Sequence, residues 1–142
     1  MTQEEKSLLL KDLSARLPYG VKIELTWWVM DEGTCINTAL EPDHIEQLLN
    51  DEYGETEIKP YLRPMSSMTE EELTELAYKV FQQPDIDIIR RWVFENKSYP
   101  SIDGNPAMVI DWLLAHHFDF RGLIEKGLAL EAPEYMYNVN EK

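Results

Sequence analysis

An α+β fold is predicted, with a small antiparallel sheet in the first half packed with helices and a mainly helical second half. Three stretches predict it. Apolar residues alternate with period two over 21–30, the mark of a half-buried strand. They recur at i, i+3, i+4, i+7 and i+8 over 73–81, the mark of an amphipathic helix. From Met108 to Ala115 only Asp111 is polar, so that segment reads as a buried helix.

The elements follow in order. Thr2 and Glu5 make a capping box, T-x-x-E, ahead of a helical stripe of Leu9, Leu10, Leu13 and Leu17. Pro18, Tyr19 and Gly20 end that helix and turn the chain. Val21, Ile23, Leu25, Trp27 and Val29 then alternate with Lys22, Glu24, Thr26, Trp28 and Met30. A turn is predicted over 31–34, with Gly33 supplying a positive φ. A second, antiparallel strand over 35–40 follows, in which Cys35 is expected to be a small buried residue.

Residues 42–50 fit a short helix with Pro42 near its start, or a strand. A third strand is predicted over 56–62, with Pro60 at an edge or at the strand's end, because it donates no ladder hydrogen bond. Thr69 and Glu72 form another capping box, Met68 and Leu73 a hydrophobic staple, and Pro84 closes the helix. Residues 85–96 favour a helix over a strand.

The Pro106–Pro133 stretch is the most fully specified. Asn105 suits an N-cap and Pro106 the first helical position, with Met108, Val109, Trp112, Leu113 and Leu114 as core candidates. His116 and His117 fall in the last turn. Asp119 is the predicted cap of a second short helix, with Phe118 and Leu123 as its staple. Gly127 suits the left-handed position that closes a helix, with Leu128 folding back on Leu123. Arg121, in that helix's first turn, is expected to pair with Asp119 or Asp111. One domain over 1–133 and a loosely attached tail over 134–142 complete the expectation.

Two blocks, KPYLRPMSSMTEEE at 59–72 and DWLLAHHFDFRGLIEKGLALEAP at 111–133, resemble a family of short uncharacterised proteins of prophages and mobile elements in gut bacteria. The resemblance implies a mobile-element setting. It implies no activity, cofactor or catalytic residue.

Composition narrows the function classes. The 142 residues carry a formal charge of −14. That sign opposes direct binding to nucleic-acid phosphates or anionic membranes, and it permits a basic protein partner. No run of 18 apolar residues and no basic-then-apolar leader occurs, so a cytoplasmic protein is expected. A single cysteine excludes an intramolecular disulfide and a cysteine-based zinc site. Phosphate-loop, dinucleotide and nucleophile-elbow motifs are lacking, and no cofactor is expected.

What remains are surface features. His116, His117 and Asp119 are the nearest approach to a metal constellation and would centre a metal-dependent enzyme. Adjacent helical residues point about 100° apart, however, so helix capping and orientation of the corner account for them more simply. Residues 41–57 hold the carboxylates Glu41, Asp43, Glu46, Asp51, Glu52, Glu55 and Glu57 with no Lys or Arg. A run of this kind is ordinarily a solvated face; here it is also a candidate docking surface, or a mimic of nucleic-acid phosphates that would inhibit a DNA- or RNA-binding protein. Trp28 falls on the strand face opposite the apolar set and, if uncovered, would anchor a partner or a second copy of the chain. The leading expectation is a non-enzymatic accessory protein that acts by protein–protein interaction.

Overall fold

The computed structural model describes residues 2–50, 56–95 and 106–137 and shows an α+β protein. By its internal contacts the chain divides into two units, residues 1–62 with 121–142, and residues 63–120. Where the sequence reads as one domain, the chain leaves the first unit within a strand and returns to it after Phe120.

The first unit begins with α1, Gln3–Arg16. Its capping box forms as read: the Glu5 N–H donates to Thr2 Oγ1 at 3.1 Å and the Thr2 N–H to Glu5 Oε1 at 2.9 Å. Strands β1 (Lys22–Val29) and β2 (Glu32–Ala39) make an antiparallel hairpin, and β3 (Thr56–Pro64) pairs antiparallel with the other side of β1. Residues 42–50, open between helix and strand in the sequence, are helical as α2, Pro42–Asn50. The short strand β5 (Leu130–Glu131) joins β3 in parallel at Tyr61 and Leu62. Leu9 and Leu13 of α1, Leu48 of α2, Val21 just before β1, and Ile23, Ile58 and Leu62 of the sheet are buried in one core. Alternation did what its period implies over the first half of β1, where Ile23 and Leu25 are buried; Trp27 is half-buried and Val29, beside the turn, is exposed.

Several expectations change in this unit. The hairpin turn is Met30–Asp31, both with positive φ (51° and 73°), between the last paired residues Val29 and Glu32. Gly33 is not the turn residue. It sits in β2 opposite Trp28, and a Cβ there would meet Trp28 Nε1 at 2.9 Å, so glycine makes room for the indole. Cys35 is exposed, because β2 is an edge strand whose residues face solvent. Pro60 lies inside β3 opposite Ile23, one residue before the β5 ladder starts, so among the described residues that flank of β3 is still an edge there.

No second helix starts at Asp119, because Gly122, with φ 73°, breaks the path that a helix would need. One turn remains before Gly127 (φ 75°). It closes with the hydrogen-bond pair of a Schellman motif, Leu128 N–H to the Leu123 carbonyl at 2.9 Å and Gly127 N–H to the Ile124 carbonyl at 3.0 Å. Arg121 has a partner that the sequence reading did not name. Its guanidinium donates to Asp12 Oδ1 at 2.8 Å, while Arg16 Nε donates to Asp12 Oδ2 at 2.7 Å.

The tail expected to be loose from Glu134 is tied down at Tyr137. Its hydroxyl donates to the Tyr61 carbonyl at 2.7 Å and accepts from the Lys22 N–H at 2.9 Å; residues 138–142 lie outside the described set. Burial pushes the Tyr137 pKa up to about 12, above the ordinary 10.0. A raised folded-state pKa means that this contact is fully present below about pH 10 and is lost as pH rises toward 12. Tyr137→Phe should cost about 1–2 kcal/mol at neutral pH, two modest hydrogen bonds. In urea titrations its deficit against the parent should narrow as pH is raised from 10 toward 12; a constant deficit would show that the hydroxyl is not the source.

The second unit holds α3 (Glu70–Glu75), a π-helical segment over Leu76–Phe81, α4 (Ile86–Glu95) and α5 (Pro106–Ala115), with β4 (Phe118–Asp119) parallel to the end of β3 at Arg63 and Pro64. The Thr69–Glu72 capping box forms, and Met68 and Leu73 are both buried. Residues 86–95 are helical, as favoured. The widened turn over Leu76–Phe81 has no counterpart in the sequence pattern, since Leu76, Ala77, Val80 and Phe81 are buried at spacings that an ordinary helix shares.

In α5, Val109, Trp112, Leu113 and Leu114 are buried, but Met108 and Ile110 are exposed. The helix is apolar on more of its circumference than the unit covers. Its N-cap candidate, Asn105, lies outside the described residues.

Candidate functional site

The His116–Asp119 corner is built for shape. Helix α5 ends at Ala115; His116 stacks on Trp112 with ring centroids 4.0 Å apart and sets Nδ1 2.9 Å from the Trp112 carbonyl. His117 takes a left-handed φ of 64°, donates its N–H to the Leu114 carbonyl, and accepts at its own carbonyl from the Arg63 N–H at 2.8 Å. Asp119 is buried in β4. Among the described residues, no group of three or more His, Cys, Asp or Glu side chains is placed to hold a metal ion.

Arg63 organises that corner. It forms a two-pronged pair with Glu72 at 2.7 and 2.8 Å, donates to the carbonyls of Ser67 and His116, and lies 4.2 Å above the Phe118 ring. Burial raises the Glu72 pKa, but hydrogen bonds from Arg63 and the Thr69 N–H and the charge of Arg63 outweigh it, so the carboxyl sits below the usual glutamate range. With both terminal nitrogens bonded to Glu72 and to backbone carbonyls and the residue 6% exposed, Arg63 is a clamp on the fold.

The acidic run divides. Asp51, Glu52 and Glu55 lie outside the described residues. Glu41 precedes α2, and its N–H donates to His44 Nδ1 at 3.0 Å, the reach-back half of a capping box made by histidine. Asp43 and Glu46 are exposed on α2 and line a cavity of about 510 Å³ with Gln47, Asn50 and Thr56. Glu57 is opposite Thr26 in the register, on the outward face of the sheet, beside Lys59 at 3.4 Å. Of the described carboxylates, Asp43 and Glu46 therefore share one hollow and Glu57 lies on the sheet.

Trp28 is 42% exposed. It borders a second cavity, of about 440 Å³, with Leu25, Trp27, Ile36, Gln47 and Thr56. The two cavities share Gln47 and Thr56, so an aromatic and aliphatic hollow adjoins one edged by Asp43 and Glu46. Around it the hairpin exposes Val29 (62%), Met30 (93%) and Ile36 (43%). No family model, curated protein or solved structure matches this chain. Alternation alone singles out Trp28. Ile36, Trp27 and Met30 join it only because the β1–β2 register sets Leu25 against Ile36 and Trp27 against Thr34, ending at a two-residue turn.

Proposed function

We propose that the chain is a non-enzymatic accessory protein that works by binding another protein, with the β1–β2 hairpin as its contact surface. The observation that carries this reading is the hairpin's exposed apolar surface: Trp28, Val29 and Met30 at its end and Ile36 midway along β2. Exposed apolar residues scattered singly are normal, but a cluster with a tryptophan at a hollow matches the centre of a protein interface. Met30 strengthens the case. A two-residue turn with both φ angles positive favours Asn-Gly, yet here the first position is a methionine that is 93% exposed. Local stability is spent there on an apolar tip, a pattern found where function overrides folding. The phage or mobile-element setting is part of the proposal and rests on the resemblance of the 59–72 and 111–133 blocks.

Immobilised protein and its Trp28→Ala variant, exposed in parallel to host lysate, test the reading. A partner seated on the hairpin should lose about thirty-fold in affinity with Trp28→Ala, the scale of an interface hot spot. Met30→Asn should separate fold from function: it relieves the left-handed methionine and raises stability by about 1 kcal/mol, seen as a higher urea midpoint, while weakening capture. A partner held equally by parent and both variants would place the interface elsewhere.

A further inference from the structure

The hairpin also shows how a partner would be held. Strand β2 is eight residues long and ends the sheet, with β1 its sole strand neighbour among the described residues. Natural proteins protect such edges with lysine, proline, a bulge or a covering segment. Over Gly33–Ala39, GTCINTA, this edge has no charge and no proline, and all its residues except Thr38 are exposed. It is an open template of backbone N–H and carbonyl groups. Alternate residues lean to opposite faces: Ile36 borders the hollow with Leu25 and Trp27, and Gly33 and Cys35 lie on the face of Trp28.

We infer that the partner's contribution is an extended, cationic peptide segment that adds to β2 as a further strand, one apolar side chain entering the hollow and lysine or arginine beside Asp43 and Glu46. The inference rests on the hairpin being a protein-contact surface and adds the mode and the partner's chemistry. Main-chain pairing supplies affinity in strand addition, and pockets for alternate side chains supply selectivity. A volume of about 440 Å³ is ample for a single large side chain. Charge decides the occupant. A second copy would bring another −14 against the same edge, which opposes association, whereas a basic segment is drawn in.

A displayed library of random twelve-residue linear peptides, selected on the full chain, tests this. Enriched peptides should carry lysine or arginine in excess and apolar residues at alternate positions. Their affinity should fall about ten-fold or more with Ile36→Lys, and should weaken with Asp43→Asn plus Glu46→Gln and with rising salt. Alternate amides within 33–39 should gain protection from hydrogen exchange on binding. Failure to enrich any peptide, or enrichment of neutral, acidic or proline-rich sequences, would overturn the inference. Peptides that need Trp28 but leave the 33–39 amides unprotected would remove strand addition and keep the hairpin surface. Peptides indifferent to both Trp28→Ala and Ile36→Lys would remove the surface as well.

Discussion

Asp12→Ala should destabilise the first unit by about 3–5 kcal/mol, the cost of removing one partner from a buried ionic group. Asp12 and Arg16 are each 0% exposed, and Asp12 divides its two oxygens between Arg16 and Arg121. Without the carboxylate, the Arg16 guanidinium stays buried with its charge uncompensated on that side. Asp12→Asn keeps the shape but not the charge, and should lie between parent and alanine variant. The loss measures breakage and not the worth of the group. Replacing Asp12, Arg16 and Arg121 together by leucine or methionine should cost far less than Asp12→Ala, because fitted apolar side chains need no desolvation of charge. Urea unfolding followed by far-ultraviolet circular dichroism measures all three. A loss under about 1 kcal/mol for Asp12→Ala, the range of a surface pair, would refute the assignment.

The second large effect belongs to Arg63. Arg63→Ala should cost about 3 kcal/mol or more, since Glu72 loses both prongs, two carbonyls lose a donor, and the Phe118 ring loses its cover. Arg63→Lys keeps the charge but not the fork, so most of the loss should persist. The pair also sets an acid limit. Because the folded pKa of Glu72 is below its unfolded value, its contribution is fully present above the ordinary glutamate value of 4.5 and is lost as pH falls through the folded value. Stability measured from pH 7 down to pH 3 should fall less steeply in Glu72→Gln than in the parent, since the glutamine has no proton to take up. Parallel curves would show that another carboxylate sets the limit.

Much of the fold is legible locally. Two capping boxes, the alternation over 21–29 and the Schellman closure at Gly127 are short-range devices, and each forms where its residues stand. What escapes is set at long range. Arg121 pairs with an aspartate 109 residues away, for which no spacing rule exists. Cys35 reads as buried because alternation marks a strand without saying whether that strand has neighbours on both sides. Met108 reads as core because an apolar helix reports its composition and not how much of it the unit covers. For the candidate site, Trp28, Asp43 and Glu46 come from the sequence. Trp27, Ile36 and Met30 come from cross-strand register and turn length, which a single strand's pattern does not carry.

The two-part construction of the first unit has a consequence during synthesis. Residues 63–120 are contiguous, so that unit has all its parts as soon as Phe120 clears the ribosome. The other unit still lacks Arg121, Leu123, Leu128 and the strand at Leu130. In that interval Asp12 holds one of its two arginines, and part of the leucine surface of the leading helix stays wet. At a rate of roughly 5–20 residues per second this last gap closes within about two seconds, and until it does the leading unit offers a nascent-chain chaperone an incompletely covered core.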